Sequence, residues 1–213
     1  MSRSAAPRRA SFHHGNLREA LIEATVDLVQ EGGADKVTVR EAARRAGVSS
    51  GAPFRHFPNK TALMTAVAEQ GMRRFRAEID ETLKRLATAD PMARFRAVGD
   101  AYFRWVMRNP THFRVISDRT QIDFEGSEPL RRDNEQIREL MEELLRAAQQ
   151  LGLIRVGDVP QVALAARALA YGLGRMWADG HFAQWDVGPK EVRKAIDAIF
   201  DLFLRGLAAA AAP

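Results

Sequence analysis

The stretch TVREAARRAGVSSGAPFRHFPNK, residues 38–60, carries the start and stop signals of two short helices separated by a tight turn. Thr38 and Glu41 have the spacing of a capping box, in which the Thr hydroxyl and the Glu carboxylate each satisfy a free backbone N–H at a helix start. Gly47 can adopt the left-handed backbone that ends a helix. The sequence therefore predicts a helix that begins at about Thr38 and stops at Gly47.

A second short helix is predicted directly after this turn. Ser49 is a good N-cap, and Pro53 in the first helical turn removes only one backbone hydrogen bond. Ala42, Ala43 and Ala46 give the preceding helix a small inner face that lets the second helix approach closely. Two such helices form a helix-turn-helix, whose second helix fits a major groove. The turn alone leaves a plain helical hairpin open as an alternative.

Three segments at and around the turn extend the sequence pattern beyond the two short helices: GNLR at residues 15–18, AGVS at 46–49 and FRHFPNKTAL at 54–63. With them, residues 15–75 closely resemble the DNA-binding domain of the tetracycline-repressor-like (TetR) family of bacterial regulators. One residue departs from the family pattern, because Phe54 stands where the family commonly has a tyrosine whose hydroxyl reaches a phosphate. The resemblance implies an all-α homodimer that binds a palindromic DNA operator and releases it on binding a small, mostly apolar effector.

The resemblance and the helix signals together give a candidate DNA-binding surface. We expect one group of residues to face the major groove: Ser49, Ser50, Ala52, Pro53 and Phe54. A second group is expected to contact phosphates: Arg40, Arg44, Arg55, His56 and Lys60. Phe57 is expected to anchor the core instead. Phosphate contacts position a protein on DNA, whereas contacts to base edges carry the sequence specificity.

The charge distribution favours a nucleic-acid partner for the N-terminal part. The chain has a formal net charge of +5, and residues 1–60 hold ten Lys or Arg against six Asp or Glu. Residues 61–213 hold twenty-two against twenty-one. The excess of positive charge therefore lies beside the predicted helix-turn-helix, although a basic N-terminal arm accounts for part of it.

Several classes of protein and site are disfavoured by composition. The chain has no cysteine, so disulfides and thiolate metal sites are excluded. No apolar run reaches the roughly 20 residues that span a bilayer, and the Arg-rich start lacks the apolar region of a secretory signal. His13 and His14 are adjacent rather than one helical turn apart, so no metal site is expected there. We expect a soluble, cytoplasmic protein with no cofactor.

The predicted organisation is all-α with two domains. Residues 1–14 are expected to form a disordered basic arm, 15–62 the three-helix helix-turn-helix domain, 63–208 a helical ligand-binding and dimerisation domain, and 209–213 a flexible tail. A long helix from Asn59 to Leu86, about 42 Å at 1.5 Å per residue, is expected to join the two domains. No alternating strand pattern occurs in the remainder.

Start and stop residues predict further helices in the C-terminal domain. Asp90 and Pro91 begin one that Asn109 and Pro110 end, and a short helix follows. The later helices are predicted at 129–152, from Asp158 to about Phe182, and from Pro189 onward.

The last two helices suggest a dimer interface. The final helix has a very wide apolar face, and Gly172 and Gly174 in the helix before it would allow another helix to approach closely. The expected interface consists of Leu169, Gly172, Leu173, Ile196, Phe200, Phe203 and Leu204. The alternative is that both faces are used inside one subunit.

The C-terminal domain also holds a candidate effector pocket. Its expected lining is Phe103, Trp105, Phe113, Asn134, Met141, Arg175 and Trp177, with Arg104 and Arg167 as further possible polar contacts. Ordinary core packing is the alternative for these aromatic and methionine residues. No catalytic motif such as Gly-x-Ser-x-Gly or His-Glu-x-x-His is present, so no enzyme is predicted. The competing function is a helical small-molecule sensor or carrier that does not bind DNA.

Overall fold

The computed structural model describes residues 17–209, which form eight α-helices and three short 3₁₀-helices. The α-helices are α1 Leu17–Gly32, α2 Val39–Arg45, α3 Lys60–Arg85, α4 Pro91–Arg108, α5 Pro110–Ser117, α6 Glu128–Gln150, α7 Val159–Ala178 and α8 Val192–Leu207. The 3₁₀-helices are Ala34–Lys36, Ala52–Arg55 and His181–Trp185. The predicted all-α class is confirmed. The predicted basic arm at 1–14 and all but the first residue of the predicted tail lie outside the described residues.

Thr38 and Asn59 cap α2 and α3 as predicted, but the second hydrogen bond of the predicted capping box is missing among residues 17–209, because the Glu41 carboxylate binds Arg44 rather than the Thr38 N–H. The Thr38 hydroxyl accepts a hydrogen bond from the Glu41 N–H at 3.0 Å, and the Asn59 side-chain oxygen accepts one from the Ala62 N–H at 2.8 Å. Gly47 ends α2 with a φ of 70°. The Val48 N–H then donates back to the Ala43 carbonyl at 3.0 Å, which completes a left-handed helix stop.

The second element of the helix-turn-helix differs from the prediction. The residues after the turn form the four-residue 3₁₀-helix Ala52–Arg55, preceded by Gly51, and no side chain caps it. Ser49 therefore is not the N-cap, and only its carbonyl takes part, accepting from the Ala52 N–H at 3.1 Å. Gly51 and Pro53 are the two poorest helix formers, which explains why a single tight turn forms here.

The three N-terminal α-helices pack around a small buried core. Leu21 of α1, Ala42 of α2 and Leu63 of α3 are all 0% exposed. Phe57 is also buried, which confirms it as a core anchor, and the Phe57 N–H donates to the Pro53 carbonyl at 2.8 Å. The 3₁₀-helix is thereby held against α1 and α2.

The long helix α3 joins this unit to the C-terminal helices. It has 26 residues, about 39 Å of helix, and both halves of it are buried in the same continuous core. At its far half Phe75 packs against Tyr102 and Trp105 of α4, with ring centroids 5.6 and 5.2 Å apart. The bounds of α3 and α4 agree with the sequence prediction.

Two later helix boundaries were predicted wrongly. Helix α7 ends at Ala178 rather than near Phe182, because Gly180 adopts a left-handed conformation with a φ of 74°. Helix α8 begins at Val192, three residues after Pro189, with Glu191 as its N-cap. The C-terminal end of α8 is fixed by the α6–α7 loop, since the Ala209 N–H donates to the Leu153 carbonyl at 3.3 Å. Ala209 is therefore not part of a free tail.

Three of the predicted dimer contacts are buried inside the subunit. Leu173, Ile196 and Phe200 are 5%, 1% and 6% exposed and pack with Phe103 and Phe182 in a cluster between α4, α7 and α8. Their assignment to the dimer interface is wrong, because the inner face of α8 is already covered by α4 and α7.

A glycine and a set of ion pairs hold α8 against α4. A methyl group on Gly99 would lie 2.8 Å from the Phe200 ring, so only glycine allows this approach. Arg193 contacts Asp100 at 2.9 Å, and Arg96 is bonded to Asp201.

The two glycines of α7 have different surroundings. A Cβ on Gly174 would lie 2.8 Å from the Tyr102 hydroxyl oxygen and 3.1 Å from the Phe113 ring. Gly174 therefore allows close packing within the subunit. Gly172 has nothing within 4 Å of such a Cβ and faces outward, as a dimer contact would. Among residues 17–209 no helix is long and apolar enough to cross a membrane.

Candidate functional site

Most of the predicted DNA-binding side chains lie on the surface of the helix-turn-helix. Ser49, Ser50, Phe54, Arg55, His56, Arg40 and Arg44 are exposed, and Ala52 and Lys60 are half-buried. Pro53 is buried, so its predicted groove contact is wrong, and its role is to shape the 3₁₀-helix. Phe54 is 44% exposed, so part of its ring is free to contact a partner.

The basic side chains on this surface differ in whether an acidic side chain already pairs with them. Arg44 binds Glu41 on its own helix, with Nε 2.9 Å from Oε2, and this hydrogen bond lowers the pKa of Glu41. Arg45, which the sequence did not single out, binds Glu31 of α1 at 2.6 Å and fastens α2 to α1. Arg40, Arg55, His56 and Lys60 have no ion-pair partner within residues 17–209. These four, rather than Arg44, can bind an anion without losing an existing partner.

The start of α3 adds to this positive surface. Lys60 is the first residue of a 26-residue helix, and the first N–H groups of a helix have no acceptor within it. A helix N-terminus carries a partial positive charge, which favours bound phosphate. The charge of Lys60 and the partial positive charge of the α3 N-terminus therefore attract an anion to the same part of the surface.

The C-terminal helices form two adjoining cavities that are partly open to solvent, since the lining residues Arg119, Arg167 and Tyr171 are exposed. The larger has a volume of about 330 Å³ and lies between α3, α4, α5, α6 and α7. The smaller, about 90 Å³, lies deeper between α3, α4, α6, α7 and α8. Both are lined by Phe75, Tyr102, Ile137, Arg167 and Tyr171. Because the two share these walls, they form one site, which we call the helical cavity.

Four of the seven predicted pocket residues line the helical cavity: Trp105, Phe113 and Asn134 in the larger part and Met141 in the smaller. The other three lie elsewhere. Phe103 packs edge-to-face on Phe200, with ring centroids 5.4 Å apart. Trp177 is half-buried against the core, and Arg175 binds Asp179 at 2.9 Å. Of the two further candidates, Arg104 is bound to Glu78 at 2.8 Å, whereas Arg167 lines the cavity.

Tyr102, Tyr171 and Arg119 line the cavity although they were not among the pocket residues expected from the sequence. Tyr102 lies on the same face of α4 as Phe95 and Val98. The sequence therefore predicted only that its side chain packs in the core. Its hydroxyl oxygen is buried and has no hydrogen-bond partner within residues 17–209. Burial raises the pKa of Tyr102, which keeps the hydroxyl protonated. No spacing rule could have shown this unpaired hydroxyl.

A polar network connects the cavity wall to the N-terminal unit. The His112 Nε2 atom of α5 lies 2.8 Å from the Gln70 side-chain oxygen of α3. The Gln70 amide nitrogen donates to Glu23 of α1 at 2.8 Å, so its oxygen faces His112 and accepts the Nε2 proton. The adjacent residue Phe113 lines the helical cavity. Helix α5 thus contacts both the cavity and the α1–α3 pair.

The buried imidazole predicts a pH-dependent stability. Burial, reinforced by Arg74, lowers the pKa of His112 to about 4, while Glu23 acts in the opposite sense. In the unfolded chain its pKa is about 6.5, so the unfolded state binds more protons between these values and stability falls as pH decreases. We expect wild type to lose about 2 kcal/mol more than His112→Gln between pH 7 and pH 5, at about 1.4 kcal/mol per pKa unit.

Urea unfolding at the two pH values measures this difference. His181→Gln is the matched control, because His181 is exposed, and it should lose as much stability as wild type. Equal losses in wild type and His112→Gln would show that His112 is not held neutral by burial.

An exposed helix-turn-helix with unpaired cations, joined by one long helix to a helical unit with an internal cavity, is typical of transcriptional regulators that sense small molecules. The comparisons with known proteins agree. Residues 21–67 match the family described as bacterial regulatory proteins, tetR family, and residues 95–207 match the tetracyclin repressor-like C-terminal domain. The chain belongs to the TetR family. Members of this family are DNA-binding regulators and not enzymes.

Individual relatives agree with this family. The HTH-type transcriptional regulator BetI of Yersinia pestis (strain Pestoides F) is 35% identical over 86 residues, which cover 40% of this chain and 43% of that protein. The matched region is thus less than half the length of that relative. BetI of Stenotrophomonas maltophilia (strain R551-3) is 28% identical over 90% of this chain and 94% of its own.

A solved structure shows the same fold. The TetR family transcriptional regulator PfmR from Thermus thermophilus has a TM-score of 0.70 at 21% identity, covering 87% of this chain and 97% of that one.

Proposed function

We propose that the protein is a cytoplasmic transcriptional repressor that binds a palindromic operator as a dimer and releases it when a small molecule occupies the helical cavity. The observation that carries this proposal is the set of unpaired cations, Arg40, Arg55 and Lys60, with the His56 imidazole beside them, around an exposed helix-turn-helix. A carrier or sensor without DNA-binding activity has no use for them. We infer a cytoplasmic location because bacterial operators lie on the chromosome, which is in the cytoplasm.

The exposed residues divide into two roles on DNA. Ser49 and Ser50 can exchange hydrogen bonds with base edges in the major groove, since hydroxyls both donate and accept. Phe54 has no hydroxyl, so it offers apolar contact, for which the thymine methyl group is the natural partner. Arg40, Arg55, His56 and Lys60 are placed to contact phosphates. Arg44 is a weaker candidate, because it would have to leave Glu41.

The dimer is proposed to form through the outer faces of α7 and α8. After α8 has packed on α4, Leu164 and Leu202 remain 65% and 66% exposed. Ala168, Gly172 and Ala198 lie exposed on the same two helices, and their small side chains allow a partner helix to approach closely. Burying two exposed leucines per subunit contributes about 1.5–3 kcal/mol each.

The test uses operator DNA recovered by genome-wide capture and footprinting. Lys60→Ala should weaken binding to the operator and to random DNA by similar factors, and should reduce the salt slope of log K by about one unit. Lys84→Ala is the matched control, because Lys84 is exposed on the same helix, about 36 Å away, and should leave the slope unchanged.

Substitutions at Ser50 or Phe54 should instead change the preference among operator variants. If they lower affinity equally for every sequence, the proposed base contacts are wrong. Absence of any salt-dependent binding to captured DNA would favour the carrier.

A further inference from the structure

The residues that line the helical cavity carry an excess of positive charge. It includes two arginines, Arg119 and Arg167, and no aspartate or glutamate. Neither arginine has an ion-pair partner in the described part of the chain, residues 17–209. Arg119 is held in place by its guanidinium carbon, which lies 3.4 Å from the centroid of the Phe124 ring. The wall between α5, α7 and the α5–α6 loop thus carries two uncompensated positive charges.

The environment of Arg119 indicates that these charges are not neutralised. Burial lowers the pKa of Arg119, and the nearby positive charge of Arg167 lowers it further. Glu125 and Tyr171 act in the opposite sense, but Glu125 does not line the cavity. Two guanidiniums that repel each other beside an apolar space are stabilised when an anion enters between them.

Two residues of the cavity wall each carry an unpaired polar atom. The Tyr102 hydroxyl oxygen and the Trp105 indole nitrogen are both buried without a hydrogen-bond partner within residues 17–209. Buried polar groups are nearly always hydrogen-bonded, so both call for a partner. Gly174 leaves room for the Tyr102 hydroxyl, because a Cβ at this position would lie 2.8 Å from the hydroxyl oxygen. Both atoms are buried within the wall, so the charge that faces the cavity comes from the two arginines.

The smaller part of the cavity is apolar. Its lining beyond the shared walls consists of Phe95, Val98, Gly99, Met141, Ala166, Ala170 and Phe200. Beyond Arg167 on the shared wall, an acidic group has no charged partner there, whereas a hydrocarbon or an aromatic ring fits. The combined site is large enough for a small amphipathic molecule, since ligand sites start at about 300 Å³.

We propose that the helical cavity binds a small organic acid with an apolar body. Its carboxylate lies between Arg119 and Arg167, and its hydrocarbon part fills the smaller chamber. This inference rests on the proposed function, in that it names the chemical class of the effector for the same cavity.

Calorimetric titration of the full chain with matched acids and amides tests the inference. The probes are straight-chain carboxylates from hexanoate to tetradecanoate, 4-phenylbutyrate, and the primary amide of each. The acid that fits best should bind about tenfold or more tightly than its amide, since hydrogen bonds to a charged group are about twice as strong as neutral ones. The double variant Arg119→Gln/Arg167→Gln should bind acid and amide equally. Arg73→Gln should keep the preference, because Arg73 is exposed on α3 outside the cavity.

A wild-type protein that binds acid and amide equally overturns the inference, as does a double variant that keeps its preference for the acid. Failure of every probe to bind at millimolar concentration overturns it too. These results are separate from the proposed function, because the titrations contain no DNA. Selective acid binding without any effect on operator affinity would leave the inference standing and remove the switch. Operator binding without binding of any acid would overturn the inference and leave the proposed DNA-binding function standing.

Discussion

Replacing Leu202 by glutamate is expected to make the protein monomeric and to lower its affinity for the full operator by at least about a hundredfold. Leu202 is 66% exposed on the outer face of α8, so the substitution leaves the subunit core intact. In the proposed dimer the new carboxylate would be buried without a partner, which costs several kcal/mol. A monomer contacts one half-site only, so the second half-site no longer contributes to binding.

Sedimentation velocity and gel-shift titration measure the two effects on the same preparations. Val156→Glu is the matched control, because Val156 is 94% exposed in the α6–α7 loop and the change in charge is the same. It should stay dimeric and bind the operator normally. Phe203→Glu would be a poorer test, because Phe203 packs partly against the core and its loss also destabilises the subunit. A dimeric Leu202→Glu variant with normal operator affinity would show that the subunits meet elsewhere.

The second large effect is expected when effector and operator are titrated together. Allosteric coupling is typically about 1 to 3 kcal/mol, so the acid that binds the cavity should lower operator affinity by roughly 5- to 150-fold. By linkage the operator must lower the affinity for that acid by the same factor. Helix α5 is the structural basis for the coupling, because Phe113 and Ile116 line the cavity while His112 contacts Gln70 of α3.

The packing around α5 explains why a small movement would be transmitted. A Cβ on Gly71 would lie 2.9 Å from the His112 Cβ atom and 3.0 Å from the Ile116 side chain, so α5 packs closely against the α3 backbone at this glycine. Two half-sites one DNA turn apart require the DNA-contacting elements to be about 34 to 36 Å apart, and a shift of a few Å misplaces one of them.

Calorimetry with and without operator, and operator titrations with and without the acid, give the two coupling factors. DNA of the same length with a scrambled sequence is the control and should not alter acid affinity at a salt concentration that suppresses non-specific binding. Factors that differ from each other, or that both equal one, would show that the cavity does not control DNA binding.

Local sequence signals were sufficient for most helix boundaries in the fold. A cap or a glycine stop is decided within about six residues, since the donor and acceptor are close in the chain. Thr38, Asn59 and Gly47 therefore act as the sequence predicted. The start of the second element of the helix-turn-helix was predicted wrongly because Ser49 is a potential cap, whereas the 3₁₀ turn begins after Gly51 and is packed through Pro53 and Phe57.

By itself, the sequence determined the all-α class, the family and the positive surface of the helix-turn-helix, because these depend on patterns within short segments. It could not decide which apolar faces pair with each other. Ile196 and Phe200 are as apolar as Leu164 and Leu202, yet the first pair is buried within the subunit and the second is exposed. The unpaired Tyr102 hydroxyl and the proximity of Arg119 to Arg167 likewise arise only when α4, α7 and the α5–α6 loop meet. Burial and charge balance depend on neighbours distant in the chain, and only the tertiary structure supplies them.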